Sequence, residues 1–155
     1  MTPLTLYPAL ARAEAVTWAL LLLGMVLKYV TRTTELGVSV FGLAHGVVFL
    51  AYVLVTVLVW VDQRWSRRLG LLALAAAIPP FATVGVERLV TRREGLANRW
   101  RLGPGGEAPG HVGEHVLARA LARPVVATVV GGALVLLATA ALLVVGPPAP
   151  PGSGA

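Results

Sequence analysis

Residues 38–61 read VSVFGLAHGVVFLAYVLVTVLVWV. The stretch holds no Asp, Glu, Lys or Arg and a single histidine, His45. It exceeds the roughly 20 apolar residues that a helix needs to cross the ~30 Å hydrocarbon core of a bilayer. Water would penalise such a surface on every side. In lipid, a helix closes its own backbone hydrogen bonds and presents only apolar side chains. Three further runs of this character lie at about 13–31, 69–86 and 125–146. The pattern predicts an all-α, polytopic helical membrane protein. A three-span core bundle covers 10–92, a basic interfacial segment 93–124, a fourth C-terminal transmembrane helix 125–146 and a disordered Pro/Gly tail 147–155.

Composition sets the same bounds. Of 155 residues, 57% are hydrophobic and 13% charged, which leaves room for one bundle and no separate catalytic domain. The net charge of +6 is almost wholly arginine, since Lys28 is the only lysine. These arginines flank apolar runs, so the partner they imply is a bilayer with anionic headgroups rather than nucleic acid. Absence of cysteine excludes disulfides, thiolate metal sites and thiol nucleophiles. Met1–Leu10 carries no basic residue, so the first run reads as a retained span rather than a cleaved leader.

Between the runs, Asp62-Gln63-Arg64-Trp65-Ser66-Arg67-Arg68 suits the headgroup region. Pro79-Pro80 interrupts the third run, where two missing or blocked backbone bonds predict a kink or a local break. Glu87–Arg101 reads as an interfacial helix extending the third span, and Glu114–Arg123 as a short helix before Pro124. With four spans, Arg12, Arg64, Arg67 and Arg68 fall on one side and the other nine basic residues on the other. That count places the long loop in the cytoplasm and both termini outside the plasma membrane.

Polar groups inside spans are costly, and their default position is the bundle interior. Glu14, Trp18, Leu21, Met25 and Lys28 recur at helical spacing along one stripe. Glu14 and Lys28 are separated by about 21 Å of helix axis, so each needs a partner elsewhere. His45 lies within Gly42-x-x-x-Gly46, a small-residue pattern that favours close helix packing. The spacing predicts a polar cluster of Lys28, His45, Thr83 and Glu87 toward one membrane face. It places Glu14 and Trp18 toward the other, within reach of Arg64. Simpler readings stand beside these: Lys28 and Glu87 snorkel to water, His45 is a neutral imidazole bonded to a neighbour, and His111 and His115 belong to a solvated helix rather than a metal site. Pro79 and Pro80, with Gly42 and Gly46, are the positions expected to shape helix packing.

Several segments together resemble a known family. These are Ala13-Glu14-Ala15-Val16-Thr17-Trp18, Leu27-Lys28-Tyr29, Gly42-Leu43-Ala44-His45-Gly46-Val47-Val48-Phe49, Arg64-Trp65-Ser66, and Ile78-Pro79-Pro80-Phe81-Ala82-Thr83 followed by Glu87. The chain resembles, over about residues 10–89, the bacterial integral-membrane family catalogued as domain of unknown function 3817, also called YdzA-like. Ala82 stands where that pattern has glycine, and the region beyond about Arg92 lies outside it. The resemblance implies a membrane location and a three-helix core, and no activity.

Serine-triad spacing, paired carboxylates, a phosphate loop and an HExxH signature are all missing from the sequence. The expectation is therefore a non-enzymatic accessory, assembly or scaffold component of the cell membrane, without cofactor, which pairs with itself or with another membrane protein. The alternative is a small transporter or proton-linked permease subunit using Glu14, Lys28, His45 and Glu87.

Overall fold

Three of the apolar runs become helices long and apolar enough to cross a membrane: Pro3–Val30, Leu36–Gln63 and Pro124–Val145. The computed structural model describes residues 1–94 and 96–145. Its elements are α1 (Pro3–Met25), continued by a π turn over Val26–Val30, then α2 (Leu36–Gln63), α3 (Arg67–Ala75) and α4 (Ala82–Leu89). A second π turn over Val90–Glu94 extends α4, and α5 (Val112–Ala122) and α6 (Pro124–Val145) follow. The tail expected over 147–155 lies outside the described residues.

α1 and α2 form an antiparallel pair joined by residues 31–35, and their tightest approach is backbone to backbone. A Cβ added to Gly24 would stand 2.7 Å from the carbonyl carbon of Gly37. The expected role of Gly42 and Gly46 is corrected here. A Cβ on Gly46 would meet nothing within 4 Å, and one on Gly42 only Leu21 Cδ1 at 3.8 Å. Both line a shallow apolar groove between α2 and α6, with Val38, Phe49, Thr139 and Leu142. α6 thus runs antiparallel to α2, with Gly131 against Leu54 and its last turns beside the start of α2.

The third span expected over 69–86 is not one continuous helix. Ser66 caps α3 by accepting from the Leu69 amide at 3.2 Å, and the helix ends after Ala75. Residues preceding proline avoid the helical region, so Ile78-Pro79-Pro80 forces a break. Phe81 closes that break in the left-handed region at φ 65°. Nine residues of α3 reach about 13 Å, less than half the hydrocarbon thickness. The chain then turns back.

Contacts trace the path. Trp65 packs edge-on against Tyr7 at 5.5 Å, Ala73 receives the Tyr52 hydroxyl, and Thr83 reaches α1 at Ala11 and Glu14. Val90 and Leu96 then rejoin the core beside Tyr7 and Trp65. The Ala97 amide donates to Gln63 Oε1 at 3.2 Å, and Trp100 Nε1 donates to the Met1 carbonyl at 2.9 Å. α3 and α4 are therefore a re-entrant hairpin that enters and leaves beside the C-terminus of α2. Small buried residues on its inner side (Gly70, Ala73, Ala76, Ala77) let it sit close, while Leu71, Leu72, Ile78 and Phe81 face outward.

Two further expectations change with it. Of the interfacial helix expected over Glu87–Arg101, only the part up to Glu94 is helical, and residues 96–102 form an irregular segment folded onto the end of α2. Met1 and Val145 lie at opposite ends of the bundle rather than at one end, because three long helices rather than four run its length.

Candidate functional site

The deepest polar groups form a seam between α1, α2 and the hairpin, near the middle of α1. Glu14 has no exposed surface. Thr83 Oγ1 lies 2.8 Å from Glu14 Oε2 and 3.2 Å from the Ala11 carbonyl, so one hydroxyl proton is shared between two acceptors. Glu14 Oε1 and the indole Nε1 of Trp18 are buried without hydrogen-bond partners. One turn along α1, Thr17 donates to the Glu14 carbonyl at 2.9 Å. That commits its only proton, so in the 3.1 Å contact with His45 the imidazole Nδ1–H is the donor. Trp18 and Phe49 flank the His45 ring at centroid distances of 4.5 and 6.3 Å.

Nearer the hairpin entrance, Tyr52 donates to the Ala73 carbonyl at 2.9 Å. Its hydroxyl oxygen then accepts from Tyr7 at 3.0 Å, and both side chains are fully buried. Apart from the Thr17 bond to the Glu14 carbonyl, which stays within α1, each bond of the seam links two elements. In a medium without water, such bonds hold helices together and fix their register.

The predicted cluster of Lys28, His45, Thr83 and Glu87 is not assembled. Lys28 lies by the 31–35 turn, 3.6 Å from Glu35. His45 meets Thr17, Thr83 meets Glu14, and Glu87 accepts from Thr91 at 3.3 Å on the returning limb of the hairpin. A continuous third span would carry Glu87 to the level of Lys28; reversal at Pro79-Pro80 carries it the other way. Arg64 does not reach Glu14 either. It caps α2 with φ 51° and its guanidinium contacts Glu107 and Glu114 at 3.3 and 3.6 Å. Of the predicted sets, only the pairing of Glu14 with its helix neighbour Trp18 shares one buried environment.

The sequence profile of a family described as a domain of unknown function, DUF3817, matches residues 4–92. The chain belongs to this family. The DUF3817 unit takes in α1, α2 and the hairpin, and so the whole seam. A protein of Streptomyces coelicolor named as a membrane protein is 51% identical over 87 residues, which cover 56% of this chain and 10% of the relative. The chain thus spans about a tenth of that relative's length. No solved structure matches.

Beyond the DUF3817 unit, residues 96–122 fasten onto the end of α2 through a latch that the linear pattern did not reveal. Asp62 is fully buried and accepts the amides of Arg101 and Leu102, each at 3.0 Å. The Arg101 guanidinium donates to the carbonyls of Val61 and Asp62, capping the negative end of α2. It also pairs with Glu107 at 3.1 Å and with Glu114 at 2.5 Å. His111 caps α5 by accepting from the Glu114 amide, and among the described residues no three His, Asp or Glu side chains gather as a metal site.

The Gly110 amide, at 2.7 Å, and the Arg101 guanidinium hold the Glu114 carboxyl at about 2, below its usual 4.5. A depressed carboxyl contributes its stability in full above the unfolded value and loses it as pH falls through the folded one. Pepsin should therefore cut segment 96–122 progressively faster as pH drops from 4.5 toward 2. Glu114→Gln should be cut quickly already at the upper end; equal rates for both proteins would remove this role from the latch.

Proposed function

We propose that this DUF3817 protein is a non-enzymatic accessory or assembly module of the cell membrane. The observation that carries this reading is the seam itself. Tyr7, Tyr52, Thr17, His45, Thr83 and Glu14 are spent on bonds between helices, which is the use of polar groups expected of a structural unit. Occurrence of the same unit within a tenth of a longer membrane protein supports a module that works beside other segments. Its lipid-facing surface would serve lateral contact with a membrane-protein partner or a second copy.

A second reading rests on one specific observation. Glu14 keeps an unpartnered carboxylate oxygen against the tip of a proline-broken, re-entrant hairpin, and broken helices with intramembrane carboxyls are a common construction for ion and proton paths. Proteoliposomes holding a pH-sensitive dye separate the two. Under a potassium diffusion potential, the accessory reading expects proton flux equal to that of protein-free vesicles, with Glu14→Gln altering only thermal stability. Flux in the native protein that disappears in a Glu14→Gln variant of unchanged melting temperature would replace the first reading by the second.

A further inference from the structure

The re-entrant hairpin redistributes charge. Because residues 67–94 return to the side they left, Arg12, Arg64, Arg67, Arg68, Arg88, Arg92, Arg93, Arg99, Arg101, Arg119 and Arg123 all belong to the Met1 half of the bundle. Eleven of the thirteen basic residues thus share one side, where a four-span path would divide them nine to four. The opposite side keeps Lys28 and Arg32, and Lys28 is engaged by Glu35.

The acidic residues near this end, Asp62, Glu87, Glu94, Glu107 and Glu114, are too few to cancel eleven basic ones. Asp62, Glu107 and Glu114 are consumed by the latch, together with Arg64 and Arg101. Glu87 is held by Thr91. Arg67, Arg68, Arg88, Arg92, Arg99, Arg119 and Arg123 are exposed and in no ion pair among the described residues. Trp60 and Trp100, both partly exposed, lie on the same side, at the end of α2 and on the segment folded over it, with Trp65 buried in the core beside them. An indole belt beside exposed guanidinium groups is the chemistry of a headgroup layer. Arginine in particular matches the paired oxygens of a phosphodiester.

We propose that this side faces the cytoplasm and that its unpaired arginines bind the anionic phospholipids of the inner leaflet, so that the bundle crosses the membrane three times with Met1 inside and Val145 outside. The lipid supplies the countercharge that the protein lacks on this surface. The hairpin is the device that makes the surface one-sided, and loss of the hairpin would divide it.

Two measurements decide it. The cysteine-free chain accepts single cysteines R68C, A108C and T33C, labelled in intact cells with an impermeant maleimide. Protection of R68C and A108C with labelling of T33C is expected. R68C and A108C on opposite sides would mean that 67–94 crosses the membrane, and the labelling pattern reversed at all three would turn the basic side outward; either overturns the proposal. The full chain is then reconstituted with brominated phosphatidylglycerol or brominated phosphatidylcholine, and tryptophan quenching gives the preference between them. A preference for phosphatidylglycerol on the order of tenfold is expected, falling to near unity in the R67Q/R68Q/R88Q/R92Q variant. Persistence of the native preference when inorganic phosphate is added assigns the site to lipid, and its abolition assigns it to free phosphate. Equal quenching by the two lipids, with the native melting temperature retained, would remove lipid recognition altogether.

Discussion

Replacing Gly24 by alanine costs the bundle about 3 kcal/mol, whereas the same change at Gly46 is neutral or mildly stabilising. The two glycines look alike in sequence, each inside a long apolar helix, and differ in what surrounds them. A methyl on Gly24 would lie 2.7 Å from the carbonyl carbon of Gly37, 2.9 Å from its oxygen and 2.9 Å from the Val38 amide nitrogen. All three are backbone atoms, so no rotamer relieves the overlap and α1 must move away from α2. Overpacking typically costs about 1–3 kcal/mol, and immovable neighbours place this case at the upper end. At Gly46 the added methyl meets no atom within 4 Å. There the only consequence is the lower flexibility of alanine in a helix, a gain of about 0.5–1 kcal/mol. Unfolding in mixed detergent and dodecyl sulfate micelles, followed by tryptophan fluorescence, measures both. A Gly46→Ala loss comparable to that of Gly24→Ala would return the helix contact to the Gly42-x-x-x-Gly46 stripe.

That contrast marks how far local pattern reaches. Length and hydropathy alone sufficed to find the three long helices, although the first, expected from about residue 13, begins at Pro3, because crossing a bilayer demands only an unbroken apolar run. The run at 69–86 is shorter but still near the length of a span, and its composition is much the same, so it mimics one. What distinguishes it is the reversal at Ile78-Pro79-Pro80-Phe81, and proline signals a break without giving its angle. The misplacement of Thr83 and Glu87 descends from that one angle. With the segment drawn straight, Glu87 lies with Lys28 and Thr83 with His45; with it folded back, Thr83 meets Glu14 and Glu87 stays near the entrance. The Asp62–Arg101–Glu114 latch was illegible for a different reason. Its partners are separated by 39 and 13 residues and join an element end to an irregular segment, where no periodicity operates. His45 at a helix contact was readable, since a polar ring in a span has few other places to go.

The Glu14–Thr83 pair should show a rescue that a simple contact count would not anticipate. Thr83→Val removes the one side chain that bonds the carboxyl and leaves Glu14 buried with both oxygens unpartnered, since Oε1 already has none. An orphaned polar group costs about 1–3 kcal/mol, and water is absent at this depth to soften it, so a loss of about 3 kcal/mol is expected. The second substitution, Glu14→Leu on the Thr83→Val background, takes away the group in need of a partner and fills the same space with an apolar side chain. Stability should then return to within about 1 kcal/mol of the native protein, because replacing both partners of a buried bond by apolar groups is nearly neutral. If the double variant is instead weaker than Thr83→Val alone, Glu14 holds the fold through contacts other than Thr83. The rescued protein also bears on function: a bundle whose seam is structural keeps its assembly once packing is restored. A bundle that moves protons through Glu14 would regain its fold and still be silent in the proteoliposome assay.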